Sequence, residues 1–209
     1  MGLRQRLRRR DRRAGRGRGA QRRQRRPPRP RGLSTAELIV VSGPPGAGKS
    51  TVARLLADGF PRSALVRGDD FFSFVAAGRI EPWLPEAQEQ NDVVIAAAAS
   101  ATGRFAAGGY VVVYDGVVGP WYLTAFATAT GLDHLSYAVL LPSERECLQR
   151  VAGRSGHGFT DPDATRRMHR QFADADLEPR HVFSEPTEPA ALARAIRQRW
   201  EAGALRYRP

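Results

Sequence analysis

The sequence predicts an α/β fold with a mostly parallel sheet covered by helices on both faces, and three observations carry that expectation. From residue 36 onward, short apolar runs alternate with longer helical stretches. Strands separated by helices are joined by crossovers and therefore lie parallel. The run Leu38-Ile39-Val40-Val41 is continuously apolar, as a strand buried on both faces must be. A glycine-rich turn follows that strand directly and opens a helix near Ser50.

The helix after this turn extends to about Asp58. A second strand, about Ala64 to Arg67, ends at Gly68-Asp69-Asp70, after which Phe71, Phe72 and Phe74 lead into a connection through Trp83. An Ala-rich helix from about Glu86 to Ala107 stops at Gly108-Gly109, and Tyr110 to Tyr114 makes a third strand ending at Asp115-Gly116. Pro120 to Thr130 reads as a helix closed by Gly131, and His134 to Leu141 as a fourth strand. Ser143 and Glu146 have capping-box spacing and open a helix to about Gly153. After the Gly-rich stretch to Gly158, Asp161-Pro162 pairs a cap with proline at the first helical position, and that helix runs to about Ala175. His181-Val182-Phe183 is a short last strand, and a final helix from about Pro189 to Ala202 puts Leu192 and Ile196 on one face.

Charge divides the chain in two. Residues 1–32 hold 15 Arg and one Asp, whereas the remainder carries 18 basic and 20 acidic residues, a net −2. The overall +12 therefore belongs to a tail, and the folded part gives no electrostatic reason to bind nucleic acid. Residues 1–32 are low-complexity Arg, Gly, Gln and Pro with too few apolar side chains to offset ordering entropy, so they read as disordered. That tail is either an arm for nucleic acid or anionic surfaces, or the product of a start assigned upstream of a true one near Leu33. Residues 33–209 read as one domain. Cys147 is the only cysteine, so neither an intramolecular disulfide nor a multi-cysteine metal site exists. No apolar run approaches a membrane span and no signal peptide is present, so a cytoplasmic protein without a membrane partner is expected.

Gly43-Pro44-Pro45-Gly46-Ala47-Gly48-Lys49-Ser50 fits the Gly-x4-Gly-Lys-Ser phosphate-binding pattern, with Thr51 behind it. Its backbone N–H groups must wrap a phosphate, which calls for glycine where φ is positive or the chain approaches closely. The following helix aims its positive end at the anion. Lys49 then reaches the β- and γ-phosphates and the Ser50 hydroxyl holds magnesium, so a nucleoside triphosphate and Mg2+ are the expected ligands. Lys49 is the sole lysine among 33 basic residues, which agrees with a site where a guanidinium will not serve.

The same fact excludes the Asn-Lys-x-Asp motif of guanine-specific switches. Two further constellations point to phosphoryl transfer. Asp69 and Asp70 end the second strand, where ligands of an open parallel sheet gather, and either can take a proton from an attacking hydroxyl. Arg145, Arg150 and Arg154 run into Ser155-Gly156-His157-Gly158-Phe159, a short segment able to close over the phosphates. Arg150 and Arg154 share a helix face, with Arg154 the stronger candidate and Arg145 expected to do nothing. Asp115 ends an apolar strand and is a candidate for magnesium, through water, or for the substrate.

From about residue 37 to 200 the chain resembles the small P-loop kinases of the nucleoside-monophosphate-kinase-like group. The segment Arg154 to Phe159, with Gln171-Phe172 and Leu177-Glu178-Pro179, is similar to the lid and following helix of gluconate kinases. Arg67-Gly68-Asp69-Asp70 resembles the second-strand acids of polynucleotide 5′-kinases, which makes the first Asp the base; against chloramphenicol phosphotransferases the second fits better. The resemblance implies a P-loop NTPase three-layer sandwich with a five-stranded parallel sheet, order 2-3-1-4-5. It also implies a lid after the fourth strand, and adenine packed near Ser184-Glu185-Pro186-Thr187. Trp83 and Val117 to Tyr122 match no substrate signature of these families. The expected activity is transfer of the γ-phosphate of ATP to a hydroxyl of a small molecule such as a sugar or antibiotic. The alternatives are a nucleic-acid 5′-hydroxyl kinase using the tail and a nucleotide-binding ATPase module without an acceptor.

Overall fold

Successive side chains of the central strands go to opposite faces of one sheet, and each face meets its own set of helices. In β1 (Glu37–Ser42), Leu38 and Val40 join Val112 and Tyr114 of β3 (Val111–Asp115) and Tyr137 and Val139 of β4 (Leu135–Leu140). This face is covered by α3 (Gln88–Ala107) and α4 (Pro120–Thr130), which contribute Ile95, Ala98, Leu123 and Phe126. The alternate residues Ile39, Val41, Val113, Ala138 and Leu140 pack on Val52 and Leu56 of α1 (Lys49–Asp58) and Ile196 of α7 (Pro189–Glu201). The period-2 alternation of a strand thus sorts one apolar run into two cores. Phe126 is wholly buried, and truncating such a ring to Ala costs about 3–5 kcal/mol.

The computed structural model describes residues 36–153, 159–185 and 188–209. The Arg-rich segment 1–32, the stretch Arg154 to Gly158, and Pro186 with Thr187 lie outside the described residues.

The sheet runs β2-β3-β1-β4-β5, where β2 is Ser63–Arg67 and β5 is Val182–Phe183, all parallel, as the resemblance implied. A sixth strand was not foreseen. In β6 (Arg206–Tyr207) the chain turns back at Gly203 (φ 70°) and pairs antiparallel with Leu135 and Ser136, with Leu205 fully buried beside it. Two residues are too few to show a period, so the sequence carries no strand signal there.

Gly68–Phe72 forms a five-residue helix, α2, where a strand end and a loop were expected. Asp69 and Asp70 occupy its first turn, where their charge suits the positive end of the helix. Ser143 and Glu146 do make the reciprocal capping box that opens α5 (Glu144–Ala152). Asp161 caps α6 (Pro162–Ala173) by accepting from the Asp163 and Ala164 amides. Among the described residues, no helix is long and apolar enough to cross a membrane.

Candidate active site

The turn between β1 and α1 has three glycines in the left-handed region, Gly43 (φ 137°), Gly46 (φ 82°) and Gly48 (φ 93°). Two of them are also pressed against neighbouring backbone. A Cβ at Gly43 would collide with the Leu140 carbonyl at the end of β4, and one at Gly46 with the Cys147 carbonyl of α5. The loop therefore follows a path that only glycine permits, held between β1, β4 and α5. Lys49 Nζ donates to the Pro44 carbonyl at 3.0 Å, which folds its stem back along the loop. An ammonium has three donors, and this bond uses one of them.

Asp115 ends β3 beside this loop, in register with Val41 of β1 and Arg67 of β2. It is 7% exposed, and burial pushes its carboxyl above the usual carboxylate range. The Ser50 hydroxyl and Lys49 favour its charged form, while Asp69 opposes it. A buried carboxylate, a hydroxyl and a nearby second acid make a hard oxygen site, which fits magnesium. Among the described residues no group of three or more His, Cys, Asp or Glu could hold a metal alone. Ser50 and Asp115 would hold the ion only together with phosphate oxygens and water.

Asp69 and Asp70 are separated by the turn of α2. Asp70 Oδ1 stands 3.3 Å from Arg67 Nη2, both side chains being about half exposed. The charge of Asp69 instead reaches Asp115 and the buried Tyr114 hydroxyl, whose ionisation burial and these two acids push far up. Tyr114 packs so closely under α2 that a side chain at Gly68 would strike its hydroxyl. The close approach brings the first turn of α2 down onto the end of β3.

On the other side of the loop, Arg150 Nη1 donates to the Gly46 carbonyl at 3.4 Å, so α5 carries its arginine to the phosphate loop. Arg145, on the same helix, is exposed. Arg154 lies outside the described residues, as does the stretch to Gly158, but Phe159 beyond it meets the Trp83 ring edge-on at 4.7 Å. Cys147 is buried in α5 with its thiol pushed up to about 11 by burial, so it is not a nucleophile at neutral pH.

The sequence reading missed a tie between the site's two halves. Ser42, the last residue of β1, donates to the Val118 carbonyl (2.8 Å) and accepts from its amide (3.0 Å), while the Tyr137 hydroxyl donates to the same carbonyl at 2.6 Å. The loop that follows Asp115 is thereby bonded to the residue preceding Gly43. A polar Ser closing an apolar strand and a Tyr inside another were its only traces in the sequence. The reading also passed over Gln88 and Asp92, which lie one turn apart on α3 and face Trp121 and Tyr122 across a shallow pocket.

The AAA domain model matches residues 38–179. No curated protein matches the sequence significantly. Among solved structures, the chain is similar to an unliganded sugar kinase from Janibacter sp. HTCC2649 (18% identity, TM-score 0.62, covering 79% of this chain and 95% of that one). It is similar to the Deinococcus radiodurans tunicamycin resistance protein (14% identity, TM-score 0.61, 83% and 99%). It also matches the Mycobacterium tuberculosis APS kinase, solved with AMPPNP and APS (16% identity, TM-score 0.59, 80% and 98%). At such identities the likeness speaks for the fold alone. The family match spans more than half of the sequence and includes the phosphate loop, both acids of α2, Asp115 and α5, so the chain belongs to the P-loop AAA domain family.

Proposed function

We propose that the protein is an ATP- and Mg2+-dependent kinase that transfers the γ-phosphate to a hydroxyl group of a small molecule. The observation that carries this reading is Asp69. It is an exposed carboxylate at the carboxyl end of β2, electrostatically coupled to Asp115 beside the phosphate loop and unpaired with the arginine that engages Asp70. A phosphate loop alone serves binding or hydrolysis; an available base facing it serves an acceptor. The solved kinases of the same fold support the reading, including one holding an ATP analogue.

In this mechanism the loop amides and Lys49 hold the phosphates, and Ser50 and Asp115 would hold the metal, which would neutralise phosphate charge. Asp69 orients the acceptor hydroxyl and takes its proton while the hydroxyl oxygen bonds to the γ-phosphorus and the bond to the ADP oxygen breaks. Arg150 steadies the loop and contributes positive charge at the phosphates.

ATP consumption screened against a library of hydroxyl compounds, with Lys49→Ala as the blank, tests this directly. Acceptor-dependent ADP release that falls with Asp69→Asn is expected. Turnover indifferent both to every acceptor and to Asp69 would leave a hydrolytic module instead.

A further inference from the structure

The pocket between α3 and α4 has a composition that selects its ligand. Helix α3 runs back across the sheet and hands over to β3, so its first turns lie at the carboxyl ends of the strands. Helix α4 leaves the loop that follows Asp115, so it starts at the same edge. Both walls of the pocket come from these starting turns. Helix α2, which carries Asp69, packs against α3. This is the edge where ligands of open α/β sheets bind.

The cavity measures about 280 Å³, near the lower end of the ~300–1,000 Å³ usual for ligand sites, which suits one ring of a small molecule. Its floor is Ile95, Ala96 and Ala125. Trp121, 46% exposed, forms one side and is steadied by Phe172 of α6 at 5.2 Å between rings. The lining also includes a prebuilt polar triangle. Gln88 Nε2 donates to Asp92 Oδ1 (2.8 Å) and to the Tyr122 hydroxyl (2.8 Å). Burial and the neighbouring Asp92 charge push the Tyr122 hydroxyl up, so it stays protonated.

With both amide hydrogens of Gln88 engaged, the triangle offers mainly acceptors to a ligand: the Gln88 carbonyl and the Asp92 carboxylate. Among the described residues, no basic side chain lines the pocket. An anionic ligand would meet a carboxylate and, among the described lining residues, no cation. A ligand rich in hydroxyl or ammonium donors, with an apolar face for Trp121, would satisfy every wall.

We infer that this pocket holds the phosphate acceptor, and that the acceptor is a neutral or cationic polyhydroxylated ring, a sugar or amino sugar, rather than a carboxylated or phosphorylated one. The inference rests on the kinase reading for the word acceptor, but the binding preference stands apart from it.

The test uses the full chain carrying Lys49→Ala, which disables the nucleotide cradle and leaves this pocket untouched. Calorimetry with glucose, glucosamine and kanamycin is compared with gluconate and glucose 6-phosphate. At least one of the first three should bind saturably and at least tenfold more tightly than either anion. Asp92→Asn, which keeps the shape, should erase that margin for a cationic ligand, and Tyr122→Phe should weaken binding several-fold, with melting temperatures unchanged. No binding by any of the five, tighter binding of an anion, or unaltered affinity of the Asp92→Asn protein for a cationic ligand that the unsubstituted pocket binds would overturn the assignment. ADP release is read separately on the wild-type protein: binding without acceptor-dependent release keeps the pocket and removes the kinase.

Discussion

Glu146 and Arg150, one turn apart on α5, link the cap of that helix to the phosphate loop. Glu146 Oε2 accepts from the Ser143 amide and hydroxyl, at 3.0 and 2.6 Å, while its other oxygen stands 3.7 Å from Arg150 Nη2. The same guanidinium reaches the Gly46 carbonyl with Nη1. The Ser143 hydroxyl, then its amide, and the nearby arginines hold the Glu146 carboxyl below its usual range. The capping box therefore does more than start a helix; it fixes the carboxylate that aims an arginine.

This arrangement separates stability from binding. Arg150→Ala should weaken ATP binding by about tenfold, the scale of one lost hydrogen bond to a charged group, with little change in melting temperature. Ser143→Ala should instead lower stability by about 1 kcal/mol, as cap removals do. Glu146→Gln keeps an acceptor for the cap and loses the charge, so it should affect ATP affinity and spare the fold. Arg145→Ala serves as the control, with both quantities unchanged. Calorimetric titration and thermal melts of the four proteins decide the matter; equal effects of Arg145 and Arg150 would dissolve the link.

The partition of the two acids on α2 makes a second prediction. Asp70 is already paired with Arg67, whereas Asp69 shares the field of Asp115. Asp69→Asn should lower kcat by about 10²–10⁴, the usual contribution of a general base, with KM for ATP nearly unchanged. Asp70→Asn should cost only a few-fold. Steady-state kinetics with the acceptor found by screening checks both, and the reverse ranking would move the base to Asp70.

Little of that partition was visible in the sequence, and the reason is geometric. Asp69 and Asp70 are neighbours in a string, and only the turn of α2 sends them apart. The same string read as a strand end hid the helix itself. By contrast, β1 and the loop from Gly43 to Ser50 were fully legible, because a run buried on both faces and a loop needing positive φ at set positions each leave a composition that few other structures share. Cross-chain pairings leave none. Nothing at Ser42 or Tyr137 points to Val118, and nothing at Gln88 points to Tyr122, although 34 residues separate that pair and 76 separate Ser42 from Val118.

The third prediction concerns what glycine does at two turns of equal φ sign. Gly131 (φ 67°) ends α4 with open space where a Cβ would go, so Gly131→Ala should cost only the left-handed strain of about 1–2 kcal/mol. Gly46→Ala carries that strain and also drives a methyl into the Cys147 carbonyl, which must shift α5 or reshape the loop. Gly46→Ala should therefore lose measurable ATP binding as well as stability, while Gly131→Ala binds ATP normally. Comparable ATP affinities for the two would show that the loop tolerates a different path.

Asp115 should trade stability for function. Its folded carboxyl titrates above its unfolded value, chiefly through burial, so the folded state binds the proton more tightly than the unfolded chain does. Stability tied to that proton is fully present below the unfolded value of about 3.9 and is lost as pH rises through the folded one. As pH rises through the folded value, the wild-type protein takes on a buried charge that Asp115→Asn removes. In chelator, Asp115→Asn should melt higher than wild type at pH 7, and the difference should vanish toward pH 4. The magnesium ion, brought in with ATP, would offset the buried carboxylate and should raise the wild-type melting temperature by mass action, yet barely move the variant. Thermal melts across pH, with and without Mg2+ and ATP, read both effects. A variant that melts lower than wild type at pH 7 in chelator would mean that Ser50 and Lys49 already offset the burial of this charge, and the carboxylate would then be held for the fold rather than for the metal.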